Sequence, residues 1–367
     1  MHIYKTTEPF VLESGRQLPQ LEVAYHTFGR LNERRDNVVW ICHALTGSSD
    51  AADWWSGLVG EGKVFDPDEY FIVCSNMLGS CYGTTGPASP DPETEKKYGP
   101  GFPLITIRDM VEAHQHLARH LDIDQIAMAI GGSMGGQQVV EWAIMEPERF
   151  DKIALLATNA RHSPWGIAFN EAQRMAIEAG LEKGTKNSGN GFPTGLEAAR
   201  AVAMLSYRNY DAFLKTQREN SGEKVDDFLA SSYQRYQGSK LQDRFDVFSY
   251  ITLSKAMDTH NVGRGRHGAK AALNKIAADA LVIGIRSDML FPVSEQIFLA
   301  NHIPGAQLEL IDSTYGHDGF LIEYEIIGGL LSSFLQGGVF RSARSRYMFR
   351  ERNRPGKSNH LPGTESF

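Results

Sequence analysis

One short run of glycines around a serine constrains this chain more than any other feature: Gly131-Gly132-Ser133-Met134-Gly135. Directly before it stands the apolar run Ile126 to Ile130, which reads as a buried strand. Directly after it a helical pattern covers about Met134 to Met145 and stops before Pro147. A serine caught between a strand and a helix sits on a sharp turn. Its backbone is forced where side chains resist going, and glycines on either side make room. The helix that starts behind it offers partial positive charge to an oxygen that becomes negative nearby. The Gly-x-Ser-x-Gly pattern alone is weak; its flanking strand and helix make it the expected turn of a serine nucleophile. The plain alternative is a glycine turn that holds a phosphate. The third glycine of a dinucleotide fingerprint is missing, however, and there is no Gly-Lys-Ser/Thr.

Other runs extend this pattern. Val38 to Cys42 and Tyr70 to Cys74 are continuous apolar stretches of strand length, as expected of strands covered on both faces. A helix is expected over about Ile105 to Leu121, and further strands at Ile153 to Ala157, Ala280 to Ile285 and Leu308 to Ile311. A last helix covers about Gly319 to Leu335. Strands alternating with helices predict an α/β fold, with a mostly parallel central sheet flanked by helices. Between about Arg161 and His267 the strand runs nearly cease and helical patterns take over, so residues 161–275 read as an inserted helical lid. The core is then 1–160 with 276–340. Glu182 to Gly195, rich in Gly, Asn, Ser and Lys, reads as a loop. The segment 341–367 carries six arginines, from Arg341 to Arg354, and reads as a flexible tail.

A serine hydroxyl is a poor nucleophile at neutral pH, so it needs a base, and the base needs an orienting acid. When the nucleophile stands on such a turn, the chain order is serine, then Asp or Glu, then His. Asp288 lies three residues past the strand ending at Ile285, and His317 follows the strand ending at Ile311. Both thus fall beyond strand C-terminal ends, where an open α/β sheet places its chemistry. A turn-capping role for Asp288 and a plain loop role for His317 are the competing readings. Two backbone N–H groups are needed to hold an oxyanion. Met134 supplies one as the residue after the serine, and Leu45 the other, from the loop His43-Ala44-Leu45-Thr46-Gly47. His116 and His120 stand one helical turn apart but lack a third ligand, so no metal site is expected.

Composition narrows the setting. The 367 residues are 42% hydrophobic and 22% charged, an ordinary globular balance. The formal net charge of −7 argues against nucleic acid or an anionic membrane as partner. No apolar stretch nears the roughly 20 residues of a membrane helix. The first residues show no secretory leader pattern. Three cysteines, an odd number in a large chain, suit reduced thiols and a cytoplasmic location.

At this point a family resemblance can be stated. The chain resembles the homoserine O-acetyltransferases of the α/β-hydrolase fold over roughly residues 5 to 335. The resemblance rests on His43 to Gly47, on Gly131 to Gly136, on Tyr236-Gln237-Gly238 with Arg244-Phe245-Asp246, and on Gly316-His317-Asp318. Its most specific piece is Asn76-Met77-Leu78-Gly79-Ser80-Cys81-Tyr82-Gly83-Thr84-Thr85-Gly86-Pro87. It implies Ser133, Asp288 and His317 as a catalytic triad, and Arg208 and Asp318 as the residues that bind homoserine. A guanidinium to grip a carboxylate and a carboxylate to hold an ammonium suit that zwitterion. The resemblance further implies acetyl-CoA as co-substrate with no permanently bound cofactor, a ping-pong route through an acetyl-serine, a place in methionine biosynthesis, and a homodimer joined through the lid. Other readings stay open. They are a succinyl donor, a different amino-acid acceptor, a plain serine esterase, and an inactive hydrolase fold that serves as a binding module.

Overall fold

The computed structural model describes residues 1–186 and 195–338. Among these residues ten strands run in chain order. They are β1 (His2–Lys5), β2 (Phe10–Val11), β3 (Gln17–Leu18), β4 (Glu22–Phe28), β5 (Val38–Cys42), β6 (Phe71–Ser75), β7 (Ile126–Gly132), β8 (Phe150–Leu156), β9 (Asp279–Ile285) and β10 (Gln307–Ile311). Of these, β2 and β3 form a small hairpin. The other eight make one sheet in the order β1-β4-β6-β5-β7-β8-β9-β10. From β6 to β10 every pairing is parallel. At the other edge β4 runs antiparallel to β6, and β1 antiparallel to β4.

The central parallel strands carry long apolar runs because they face two cores. Along β5, Val38, Trp40 and Cys42 enter one core and Val39 and Ile41 the other. The alternation repeats in β8, where Ile153 and Leu155 oppose Ala154 and Leu156. This period of two is the pleat of the strand, and it turns an unbroken apolar run into two packed faces. On the first face lie α2 (Ile107–His120) and α3 (Met134–Met145). On the second lie the short α1 (Ala51–Trp54) and the C-terminal α12 (Tyr324–Leu335), with Trp55, Ile327, Leu331 and Phe334 buried there. Helix α2 starts where Thr106 accepts the Asp109 N–H and Asp109 in turn accepts the Thr106 N–H, a reciprocal cap.

Among the described residues six helices fill the interval between β8 and β9. They are α4 (Pro164–Lys186), α5 (Leu196–Tyr207), α6 (Tyr210–Thr216), α7 (Leu229–Gln242), α8 (Val247–Asp258) and α9 (Ala269–Leu273). Helix α5 packs on α4 and α7 and also reaches the turn Gly316–Asp318 of the sheet domain. Ion pairs tie the end of this insertion to the core: Arg108 and Arg266 both hold the buried Glu141. Helix α10 (Val293–His302) follows β9, and α11 (Gly319–Ile322) precedes α12.

Two expectations are revised. The segment Glu182 to Gly195, read as a loop, is helical as far as Lys186, and 187–194 lies outside the described residues. The last helix is two helices, because Glu323 leaves helical geometry with ψ 45° between α11 and α12. The arginine-bearing segment 341–367 also lies outside the described residues.

Candidate active site

Ser133 joins β7 directly to α3. Its φ of 56° and ψ of −126° put a non-glycine residue where L-residues rarely go, at a cost of order 1–3 kcal/mol. The surroundings hold it there. Its N–H donates to Leu156 O at 3.0 Å, and its own carbonyl accepts from the Thr158 hydroxyl at 2.7 Å. The glycines around it are demanded by close approach. A Cβ on Gly135 would lie 2.1 Å from Cys42 O, and one on Gly131 would lie 2.3 Å from the Gly135 backbone. This packing holds the N-terminus of α3 against the end of β5.

Asp288 follows β9 and is buried. One carboxylate oxygen accepts the N–H groups of Leu290 at 2.8 Å and Phe291 at 2.9 Å. The other lies 2.6 Å from His317 Nδ1. Asp288 thus caps its turn with one oxygen and meets the His317 ring with the other. His317 sits past β10 in the turn Gly316–Asp318, made possible by Gly316 at φ 63°. Phe291 stacks on its ring at 4.9 Å, and Phe320 meets it edge-on at 5.3 Å. A carboxylate can only accept from Nδ1, so that nitrogen carries a proton, and in the neutral ring the lone pair then stands on Nε2.

Ser133 and His317 line one small cavity of about 70 Å³, together with Ala44, Leu45, Thr46, Arg200, Tyr207, Asp318, Phe320 and Leu321. Leu45 thus lines the same cavity as Ser133, and Met134, next to Ser133, opens α3. Among the described residues no protein acceptor takes the backbone N–H of either. His43 braces this loop. Its Nδ1 donates to Ala44 O at 2.9 Å and its Nε2 accepts the Met77 N–H at 3.1 Å. That pattern requires a neutral ring, and burial pulls its pKa down to about 4.

Around the predicted substrate-binding residues the geometry differs in detail from the expectation. Asp318 lines the cavity, but Arg208 does not. Arg208 Nε lies 2.8 Å from Asp318 Oδ2, an ion pair, yet its N–H is not aimed along that line and makes no hydrogen bond. Arg200, which was not singled out from sequence, is the cation on the cavity wall. Its guanidinium lies 5.3 Å from the Tyr207 ring centre. Burial raises the pKa of Asp318, and the charges of Arg208 and then Arg200 oppose that rise. The signal for Arg200 was its spacing from Tyr207. Seven residues are two helical turns, so both project from one face of α5 toward the Gly316–Asp318 turn.

Elsewhere, His116 packs edge-on against Phe10 and His120 stacks on Tyr4. Among the described residues no group of three or more His, Cys, Asp or Glu could hold a metal ion. Two larger hollows, of about 300 and 430 Å³, are lined by none of the triad candidates.

This geometry can be set beside known proteins. The family model of the alpha/beta hydrolase fold matches residues 37–324. A homoserine O-acetyltransferase of Cyclobacterium marinum is 48% identical over 332 residues, covering 90% of this chain and 94% of its own. The chain belongs to the homoserine O-acetyltransferase family. Within that family's fold, a crystal structure of homoserine O-acetyltransferase from Bacillus anthracis aligns with TM-score 0.83 at 23% identity, over 93% of this chain and 99% of that one. The crystal structure of esterase E22 aligns almost as well, with TM-score 0.79 at 22% identity, over 91% and 100%. At that identity the likeness concerns the fold alone, and the pair shows that one fold serves both names.

Proposed function

We propose that the protein is a homoserine O-acetyltransferase that works through an acetyl-serine. One observation carries this reading over a plain esterase: an arginine and an aspartate, Arg200 and Asp318, flank Ser133 and His317 in the same cavity. Water needs no such pair, whereas an amino acid presents a carboxylate to one and an ammonium to the other. This reading gives the carboxylate-binding role to Arg200, supported by its position on the cavity wall, with Arg208 acting through Asp318.

In the first half-reaction His317, held by Asp288, takes the Ser133 proton on Nε2 as Oγ attacks the thioester carbon of acetyl-CoA. The N–H groups of Leu45 and Met134 receive the developing oxyanion. The C–S bond breaks, the CoA sulfur takes the proton from His317, and acetyl-Ser133 remains. In the second half-reaction homoserine enters. His317 takes its hydroxyl proton, the alkoxide oxygen attacks the acetyl carbon, and the bond to Oγ breaks as His317 returns the proton to Ser133. O-acetylhomoserine leaves. Orientation of the acceptor by Arg200 and Asp318 gives its hydroxyl the advantage over water through effective concentration.

The test is release of free CoA thiol from acetyl-CoA and from succinyl-CoA, each with and without homoserine. The expected result is thiol release from acetyl-CoA that rises steeply with homoserine. Equal rates without homoserine would make the protein an esterase or thioesterase, and a preference for succinyl-CoA would change the donor. A homodimer through the insertion is part of the proposal. Its support is a set of exposed apolar side chains there, including Leu205, Tyr210, Leu214 and Tyr236. Light scattering on the purified protein should give twice the chain mass. Among the described residues no helix is long and apolar enough to cross a membrane. Cys42, Cys74 and Cys81 are free thiols, which suits the cytoplasm.

A further inference from the structure

The segment Asn76 to Pro87 and the triplet Arg244-Phe245-Asp246 stand out in the sequence, and the chemistry above uses neither. Both meet behind the loop that carries Leu45. Asn76 Oδ1 accepts the Ser49 N–H at 2.8 Å, and its Nδ2 donates to Tyr82 O at 2.8 Å. Met77 donates to His43 at the loop's root. From the insertion, Arg244 stands in the turn between α7 and α8. Its Nη1 donates to Thr46 O at 2.8 Å and to the Tyr82 hydroxyl at 2.6 Å. Phe245 packs edge-on against the Tyr82 ring at 5.7 Å, and Asp246 caps α8 through the Ser249 N–H at 2.8 Å. Arg244 itself is not on the cavity wall, whereas Thr46 and Leu45 are.

We propose that Arg244 is a positioning residue for the oxyanion hole: by pinning the Thr46 carbonyl it holds the Leu45 N–H in place and makes that hole depend on the seating of the helical insertion. The physical reason is local. The loop from His43 to Gly47 is a tight turn closed by Gly47 N–H to Ala44 O at 2.9 Å. Rotation of the peptide planes within it re-aims the Leu45 N–H. The charge-assisted hydrogen bond from Arg244 fixes the Thr46–Gly47 peptide, whose N–H is bound to Ala44 O, the carbonyl of the peptide that carries the Leu45 N–H, and so resists that rotation. A donor that drifts by a fraction of an ångström still admits the planar thioester but no longer matches the tetrahedral oxyanion.

The inference rests on the acyl-serine reading, so its test includes a readout independent of the acceptor. Wild type, Arg244→Ala, Arg244→Lys and Tyr82→Phe are compared for kcat, for KM of both substrates, and for affinity toward a small alkyl boronic acid, which forms a tetrahedral adduct on a serine hydroxyl. Arg244→Ala should lower kcat about 10- to 100-fold and weaken the boronic acid by a similar factor, with both KM values within about twofold. Arg244→Lys should restore part of the loss, and Tyr82→Phe should show a smaller loss of the same kind. A raised KM for acetyl-CoA at unchanged kcat would make Arg244 a substrate-binding cation and overturn the proposal. So would a lower kcat with boronic acid affinity intact. If Arg244→Ala fails to fold, Tyr82→Phe decides, and wild-type behaviour there counts against the proposal. A wild-type protein that binds the boronic acid but transfers no acetyl group would sink the acceptor assignment instead, while the variants remain comparable through the adduct.

Discussion

Two arginines separated by eight positions show how finely a binding role depends on direction. Arg208 pairs with Asp318 from outside the cavity, while Arg200 reaches its wall from the face of α5 that also carries Tyr207. Removing Arg200 should therefore raise the KM for homoserine by about 10- to 100-fold, the loss of one charge-assisted hydrogen-bonded grip. Steady-state kinetics at varied homoserine checks this, and Arg208→Ala should move that KM less. An unchanged KM in Arg200→Ala would return the role to Arg208. Ser133→Ala should abolish acetyl-dependent CoA release; retained turnover would end the acyl-serine reading. In Asp288→Asn the amide oxygen is kept by the Leu290 and Phe291 N–H groups, so the NH2 faces Nδ1 and donates where the carboxylate accepted; His317 loses its tautomer, and kcat should fall by about 10⁴-fold.

Among the elements, α3 is the one whose placement costs most to disturb. Nearly all of it is buried, and its first turn lies against β5 at the distance only glycine permits. Gly135→Ala must push that turn away from Cys42 O, and overpacking of this kind costs about 1–3 kcal/mol. Thermal unfolding should show a lower Tm, with kcat falling in parallel because Met134 and Ser133 shift with the turn. Thr106→Ala provides the contrast. It removes the reciprocal cap of α2, at about 1 kcal/mol, from an element that brings no residue to the cavity. Its Tm should fall while kcat stays near wild type. A kcat loss as large as that of Gly135→Ala would mean that α2 steers the site.

For the molecule as a whole, four buried histidines govern the response to acid. Burial lowers the pKa of His43, His114 and His162 to about 4 and that of His260 to about 3, each from 6.5. Between those values the unfolded chain binds protons that the folded one does not, so stability rises with pH there and is lost as pH falls below about 6.5. Each histidine contributes a slope approaching about 1.4 kcal/mol per pH unit. Glu295 works in the opposite sense. Burial, with Asp288 nearby, raises it from 4.5 to about 7, so the folded form holds its proton across that range. Asp109, Glu112, Asp258, Glu309 and Asp318, also raised by burial, oppose the rings in the same sense as Glu295. With the four rings dominant, urea midpoints measured from pH 7 down to pH 5 should fall steadily. A flat profile would mean that these rings take up protons without unfolding.

Sequence alone determined whatever is local and periodic. Val38 to Cys42 and Met134 to Met145 stand where their apolar spacing puts them, because a run buried on two faces and a helix stopped by Pro147 are written in adjacent residues. The Ser, Asp, His order and the loop from His43 to Gly47 were legible for the same reason, as signals at strand ends. The antiparallel edge of β1 and β4 was not, since its partly polar residues carry no buried-strand run. Only tertiary structure decided which arginine reaches the cavity, because α5 is aimed by its packing on α4 and α7 and not by its own sequence. It likewise decided that Arg244, nearly two hundred residues from Thr46, closes on that carbonyl. Contacts at such separation depend on how the insertion seats on the sheet, a property of the assembled fold that no single stretch of chain encodes.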